Sequence, residues 1–190
     1  MAALNTGVNP IWPLSVVQYH AMIDKGILSP DDPVELLEGI IVQKTSKNPP
    51  HRIATRAVRQ TLEHVVPAGW YVDEQEPITL SSSEPEPDVA VIRGDSRGYT
   101  DRHPAAPDVA LIVEVSDATL DRDRILKKRI YATAGIPTYW VLDLGNRRLE
   151  AYSQPRNGDY QQCTVYRQED PAPVVLAGFE GSVLVADLLP

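Results

Sequence analysis

Asp88, Glu114 and Lys127 are the residues whose types and placement could do chemistry. Asp88 follows Pro87 and opens the β-branched run Val89-Ala90-Val91, whereas Glu114 closes the apolar run that starts at Val109. Most carboxylates near strand ends are solvated surface groups. One that closes an uninterrupted apolar strand is different, because a buried charge must be paired, metal-bound or neutralised. If the two strands pair antiparallel, the start of one lies beside the end of the other, and the two carboxylates meet at one end of the sheet. Such hard oxygen donors suit Mg²⁺ or Mn²⁺. A second Pro-Asp, Pro107-Asp108, opens the strand that Glu114 closes. Six residues at about 3.3 Å each put Asp108 roughly 20 Å from Glu114, so these two cannot share a metal.

The lysine comes from the next element. Apolar spacing predicts a helix from about Leu120 to Ala134, ended by Gly135 and Pro137. Asp123, Lys127 and Tyr131 recur every four residues and share one stripe of it. Lys127 neighbours Ile130 and Ala134 on the inward side, whereas Lys128 lies about 100° round the helix with Arg124 and Ala132. Lys127 is therefore the lysine to aim at the sheet. The plain alternative is a surface ion pair with Asp123, worth a few tenths of a kcal/mol.

The remaining elements must position these groups. Ser15 caps a helix over roughly 16 to 25 that Gly26 closes, and 34 to 42 reads as a hairpin turning at Glu38 and Gly39. An amphipathic helix runs from His51 to Val66. Segments 70 to 80, 88 to 92, 108 to 115 and 138 to 143 are rich in β-branched residues and predict strands. The strand carrying Glu114 is apolar on both faces, hence central. Gly145-Asn146 turns the chain into a further strand, and weaker strands follow near 160 to 166, 174 to 176 and 183 to 188. The order helix, strands, helix, strand predicts an α/β (α+β) domain with a central mixed sheet flanked by helices.

Composition sets limits. A chain of 190 residues with 43% hydrophobic content encloses one good core, so 1–190 is expected to be one domain. Its single cysteine, Cys163, forms no internal disulfide. No run approaches a membrane span, and the N-terminal residues lack the pattern of a secretory signal, so a cytoplasmic location is expected. Net charge of −8 argues against tight nonspecific binding of nucleic acid, although bound cations can restore positive charge at a scissile phosphate.

Several segments together resemble the Uma-type endonuclease family of bacteria, within the PD-(D/E)XK restriction-endonuclease-like superfamily. They are ValGluLeuLeuGluGlyIleIleVal, Pro49-Pro50-His51, GluProGluProAspValAlaVal, ValGluValSerAspAlaThr, AspArgAspArgIleLeuLysLys followed by Ile130-Tyr131-Ala132, and Ala134-Gly135-Ile136-Pro137 with the strand after it. The resemblance spans nearly the whole chain. It implies a restriction-endonuclease-like fold and a Mg²⁺- or Mn²⁺-dependent endonuclease acting on DNA. Asp88 would be the motif aspartate, Glu114 the motif glutamate, and the backbone carbonyl of Val115 a further metal ligand. The lysine falls at Lys127, because Ser116 stands at the usual position two residues after the glutamate. The family's early glutamate maps to Glu38, read equally well as a hairpin turn residue. His51 matches a family histidine and is otherwise a helix cap, and Asp123 is a second accessory group. Relatives lead us to expect a homodimer, the commonest closed assembly. The competing expectation is a catalytically inactive nuclease fold serving as a binding scaffold.

Overall fold

Ser15 starts the first helix, α1 (Val16–Asp24). Its hydroxyl accepts from the Gln18 N–H at 3.2 Å, while the Gln18 side chain accepts from the Ser15 N–H at 2.9 Å. This reciprocal pair satisfies two donors the helix end would otherwise leave open. The computed structural model describes residues 11–29 and 31–190. Strands β1 (Val34–Leu37) and β2 (Ile40–Gln43) form an antiparallel hairpin. Its turn residues Glu38 (φ 49°) and Gly39 (φ 80°) both adopt the left-handed conformation a two-residue hairpin needs. A Cβ at Gly39 would lie 2.6 Å from the Pro13 Cβ, so glycine is required twice over. Asn48 then caps α2 (Pro49–Val65).

Strands β3 (Trp70–Glu74), β4 (Val89–Arg93), β5 (Val109–Ser116), β6 (Thr138–Asp143), β7 (Arg148–Arg156) and β8 (Asp159–Arg167) form one sheet in chain order. Every neighbouring pair is antiparallel except β5 and β6. Parallel neighbours need a long crossover, which here comprises α3 (Leu120–Arg122), a π turn (Asp123–Lys127) and α4 (Lys128–Ala134). Gly135, at φ 78°, ends it. A separate hairpin of β9 (Pro171–Leu176) and β10 (Phe179–Leu184) follows. Among the described residues no helix is long and apolar enough to cross a membrane.

Side-chain alternation sorts the sheet into two faces. Val89, Val91, Leu111, Val113, Val115, Trp140 and Leu142 pack with α2 and the β9–β10 hairpin. Ala90, Ile92, Ile112, Tyr139 and Val141 pack with α4 and Leu37 of β1. By the same parity Asp88, Glu114, Ser116 and Asp143 face α4.

The mixed sheet flanked by helices agrees with expectation, and β5 is buried along its whole length. Three details differ. The strand expected over 70 to 80 stops at Glu74, because Gln75 turns at φ 60° and Pro77, Pro85 and Pro87 cannot donate to a ladder. The helix expected over 120 to 134 contains the π turn, and the segment 183 to 188 leaves the strand at Leu184 for a 3-10 turn.

Candidate active site

Antiparallel pairing of β4 with β5 sets Val89 opposite Val113, so Asp88 and Glu114 arrive together at one end of the sheet. Both are buried. The Val115 N–H donates to Asp88 Oδ2 at 2.9 Å, and His51 Nε2, from the first turn of α2, lies 3.2 Å from the same oxygen. Burial opposes ionisation of Asp88. The His51 ring, the Lys127 ammonium and the Val115 N–H outweigh it and hold the carboxyl below its ordinary pKa.

Glu114 accepts at Oε1 from Lys127 Nζ at 2.8 Å and from the Tyr131 hydroxyl at 2.7 Å. Two donors converging on one oxygen is the geometry of a carboxylate. Burial nevertheless raises its proton affinity, to a pKa of about 8, against the opposing pull of Lys127. Burial works against the charge on Lys127 as well, but Glu114, Glu35 and Asp123 together keep its ammonium above the ordinary range. The inward lysine is thus Lys127, only 3% exposed. Lys128 points elsewhere, 2.9 Å from Asp159 and over the Tyr152 ring.

Glu38 lies outside this cluster, which corrects its expected place. It sits in the hairpin turn and pairs with Arg129 at 2.6 Å, because a turn residue projects from the end of the ladder instead of facing the sheet. Glu35 lines the pocket instead. Lys127 Nζ is 3.6 Å away and the Glu86 N–H donates to it at 3.3 Å. The missed signal is strand parity: Glu35 stands two residues before Leu37, which is in the core. Asp108 is remote, bound to Arg102 and the Ala105 N–H.

Asp123 also lines the pocket, and Lys127 pairs with Glu114 and Glu35 instead of forming the surface pair with Asp123 that was the plain alternative. Its Oδ2 accepts from Ser116 Oγ at 2.7 Å and from Thr119 Oγ1 at 2.6 Å. Its Oδ1 is buried without a hydrogen-bond partner, 3.9 Å from the equally unpartnered Arg122 Nε. The residue standing where a lysine is usual therefore locks an aspartate.

Asp88, Glu114, Glu35 and the unpartnered Asp123 oxygen supply hard donors, so the chemistry of the set fits a divalent cation of the Mg²⁺ or Mn²⁺ kind. Among the described residues, no three histidine, cysteine or acidic side chains already stand as a ready cluster of ligands. Lys127 occupies the Glu114 oxygen in this arrangement.

No curated protein matches the sequence. Among solved structures, the chain is similar to a crystal structure described as a putative nuclease belonging to DUF820 from Anabaena variabilis. That likeness has TM-score 0.67 at 17% identity, covering 93% of this chain and 97% of the other. At that identity it establishes the fold. The model of the Uma2 family, described as "Putative restriction endonuclease", matches residues 16–186, which takes in every side chain of the pocket. The chain belongs to the Uma2 family.

Proposed function

We propose that the pocket is a metal-assisted nuclease centre that hydrolyses phosphodiester bonds in DNA. The observation that carries this reading is the buried Asp88–Glu114 pair facing a buried lysine at the end of β4 and β5. Asp88, Glu114 and the Val115 carbonyl are the proposed holders of the cation, with Glu35 taking the assisting place first assigned to Glu38. A divalent ion, when bound there, lowers the pKa of a coordinated water and polarises a phosphoryl oxygen. His51 and the Val115 N–H hold Asp88 ionised and fixed. Lys127 remains an ammonium, so its role is to orient the attacking water and to stabilise charge developing on phosphate. Tyr131 and Asp123 fix the carboxylate and the loop on either side.

Purified protein should nick or degrade DNA with Mg²⁺ or Mn²⁺ and stop in excess chelator. No cleavage of single-stranded, duplex or branched DNA would favour the inert scaffold. Glu114→Gln exchanges a charged ligand for a neutral one of nearly equal size, so Mn²⁺ affinity measured by calorimetry should fall. We read 1–190 as one domain around its single large sheet, working as a homodimer in the cytoplasm. Light scattering at micromolar concentration tests the dimer.

A further inference from the structure

The chain carries net charge −8, yet between Gly39 and Leu62 it holds five lysines and arginines and no carboxylate. This stretch comprises β2, the following loop and most of α2, and it forms one wall of the pocket: Lys44, Lys47, Asn48 and His51 all line it. Two of its cations are already neutralised. Lys44 binds Glu86 at 2.8 Å, and Arg59 pairs with Glu63 and Glu74. Lys47, Arg52 and Arg56 are exposed and form no ion pair among the described residues. Elsewhere the cations around the sheet's α4 face, Arg122, Arg124, Lys127, Lys128, Arg129 and Arg148, all face carboxylates.

Geometry makes a line of the three. Lys47 stands at the pocket mouth, Arg52 follows the pocket residue His51, and Arg56 lies four residues further along the same face of α2. That spacing advances about 6 Å along the helix axis. His51 and Thr55 turn inward beside them, with Thr55 buried and bonded to the His51 carbonyl. The basic line therefore leads outward from the oxygen that His51 touches, Asp88 Oδ2.

We propose that Lys47, Arg52 and Arg56 form a phosphate track that seats the DNA backbone next to the site, engaging a strand beyond the scissile bond. This rests on the nuclease reading for its choice of polynucleotide. An acidic protein can hold DNA in this way because the charge that counts is local, and each cation that displaces a condensed counterion adds its own salt dependence.

The test measures binding of a labelled short duplex by fluorescence anisotropy in excess chelator, where no cleavage can occur, from low to moderate salt. Wild-type protein should bind, and the triple variant Lys47→Glu, Arg52→Glu, Arg56→Glu should bind at least about 10-fold more weakly. Its slope of log affinity against log salt should fall by about 2 to 3, near 0.9 per lost contact. The single alanine variants should each lower the slope by about 0.9. Reversal of the exposed Arg93, Arg97 and Arg156, which lie towards the opposite end of the sheet, should leave the slope alone, and thermal melting checks folding. Equal slopes for wild type and the triple variant, or no binding by wild type, would overturn the track. Cleavage assayed in parallel separates the two ideas. Track-dependent binding without cleavage sinks only the nuclease, whereas cleavage indifferent to the triple change sinks only the track.

Discussion

Glu114 holds its proton more tightly than a free glutamate because it is taken out of water beside two other carboxylates, Asp88 and Asp123. Its folded pKa of about 8 exceeds the ordinary 4.5, so the folded state binds the proton more strongly than the unfolded chain does. The stabilisation is full below about pH 4.5 and is lost as pH rises through about 8. Without metal, denaturant midpoints should therefore fall with pH across this window more steeply for wild type than for Glu114→Gln; parallel curves would disprove it. Lys127→Ala should lower single-turnover cleavage by about 100-fold or more. Because Lys127 is buried against Glu114 and Glu35, its removal should also cost about 3 to 5 kcal/mol of stability, so rates must be compared where both proteins are folded. Lys128→Ala loses only the pair with Asp159 and the contact with the Tyr152 ring, so it should cost about 1 kcal/mol and leave turnover unchanged. Asp88, Glu114 and Lys127 could be read from the sequence because strand ends and helix phase determine which way each points. Glu35 was hidden, since a four-residue strand gives little parity to count and the turn glutamate beside it looked equally acidic.

The π turn is the element-scale feature that sequence pattern did not disclose. Nothing in AspArgAspArgIleLeuLysLys marks a wide turn, and such turns are rare outside functional sites. Its cause is tertiary. Arg124 reaches across to Asp143 at 3.0 Å and to both oxygens of Glu150, while three residues later Lys127 must reach Glu114. Among the described residues, Arg148 is the only other cation paired with those two buried carboxylates. Arg124→Met should therefore destabilise the fold by about 3 kcal/mol in urea titration. A change within about 0.5 kcal/mol would mean that Arg148 compensates alone. By contrast, the Ser15 cap, the Glu38-Gly39 turn and the buried apolar run that Glu114 closes were legible because each depends on local chemistry or on a pattern carried within one short segment.

The molecule as a whole assembles its site from β1, α2, β4, β5 and the crossover, so the pocket exists only when these pack together. Saturating Mn²⁺ should then raise the melting temperature of wild type, with about 2.7 kcal/mol of stabilisation at 100 times Kd, and have little effect on Glu114→Gln. The lysine's position on a helix has a further consequence. Were it two residues beyond Glu114 on the same strand, the backbone would fix the spacing between them, and the pair would survive any disturbance short of sheet unfolding. In this chain the spacing depends on how the segment from Asp117 to Ala134 docks on the sheet, and a local opening of that segment would separate Lys127 from Glu114 while every ladder stayed intact. Cleavage should thus fade on warming before the far-ultraviolet dichroism of the sheet changes. Amide exchange should place the crossover among the earlier regions to open, which would make catalysis in this protein a readout of docking as much as of chemistry.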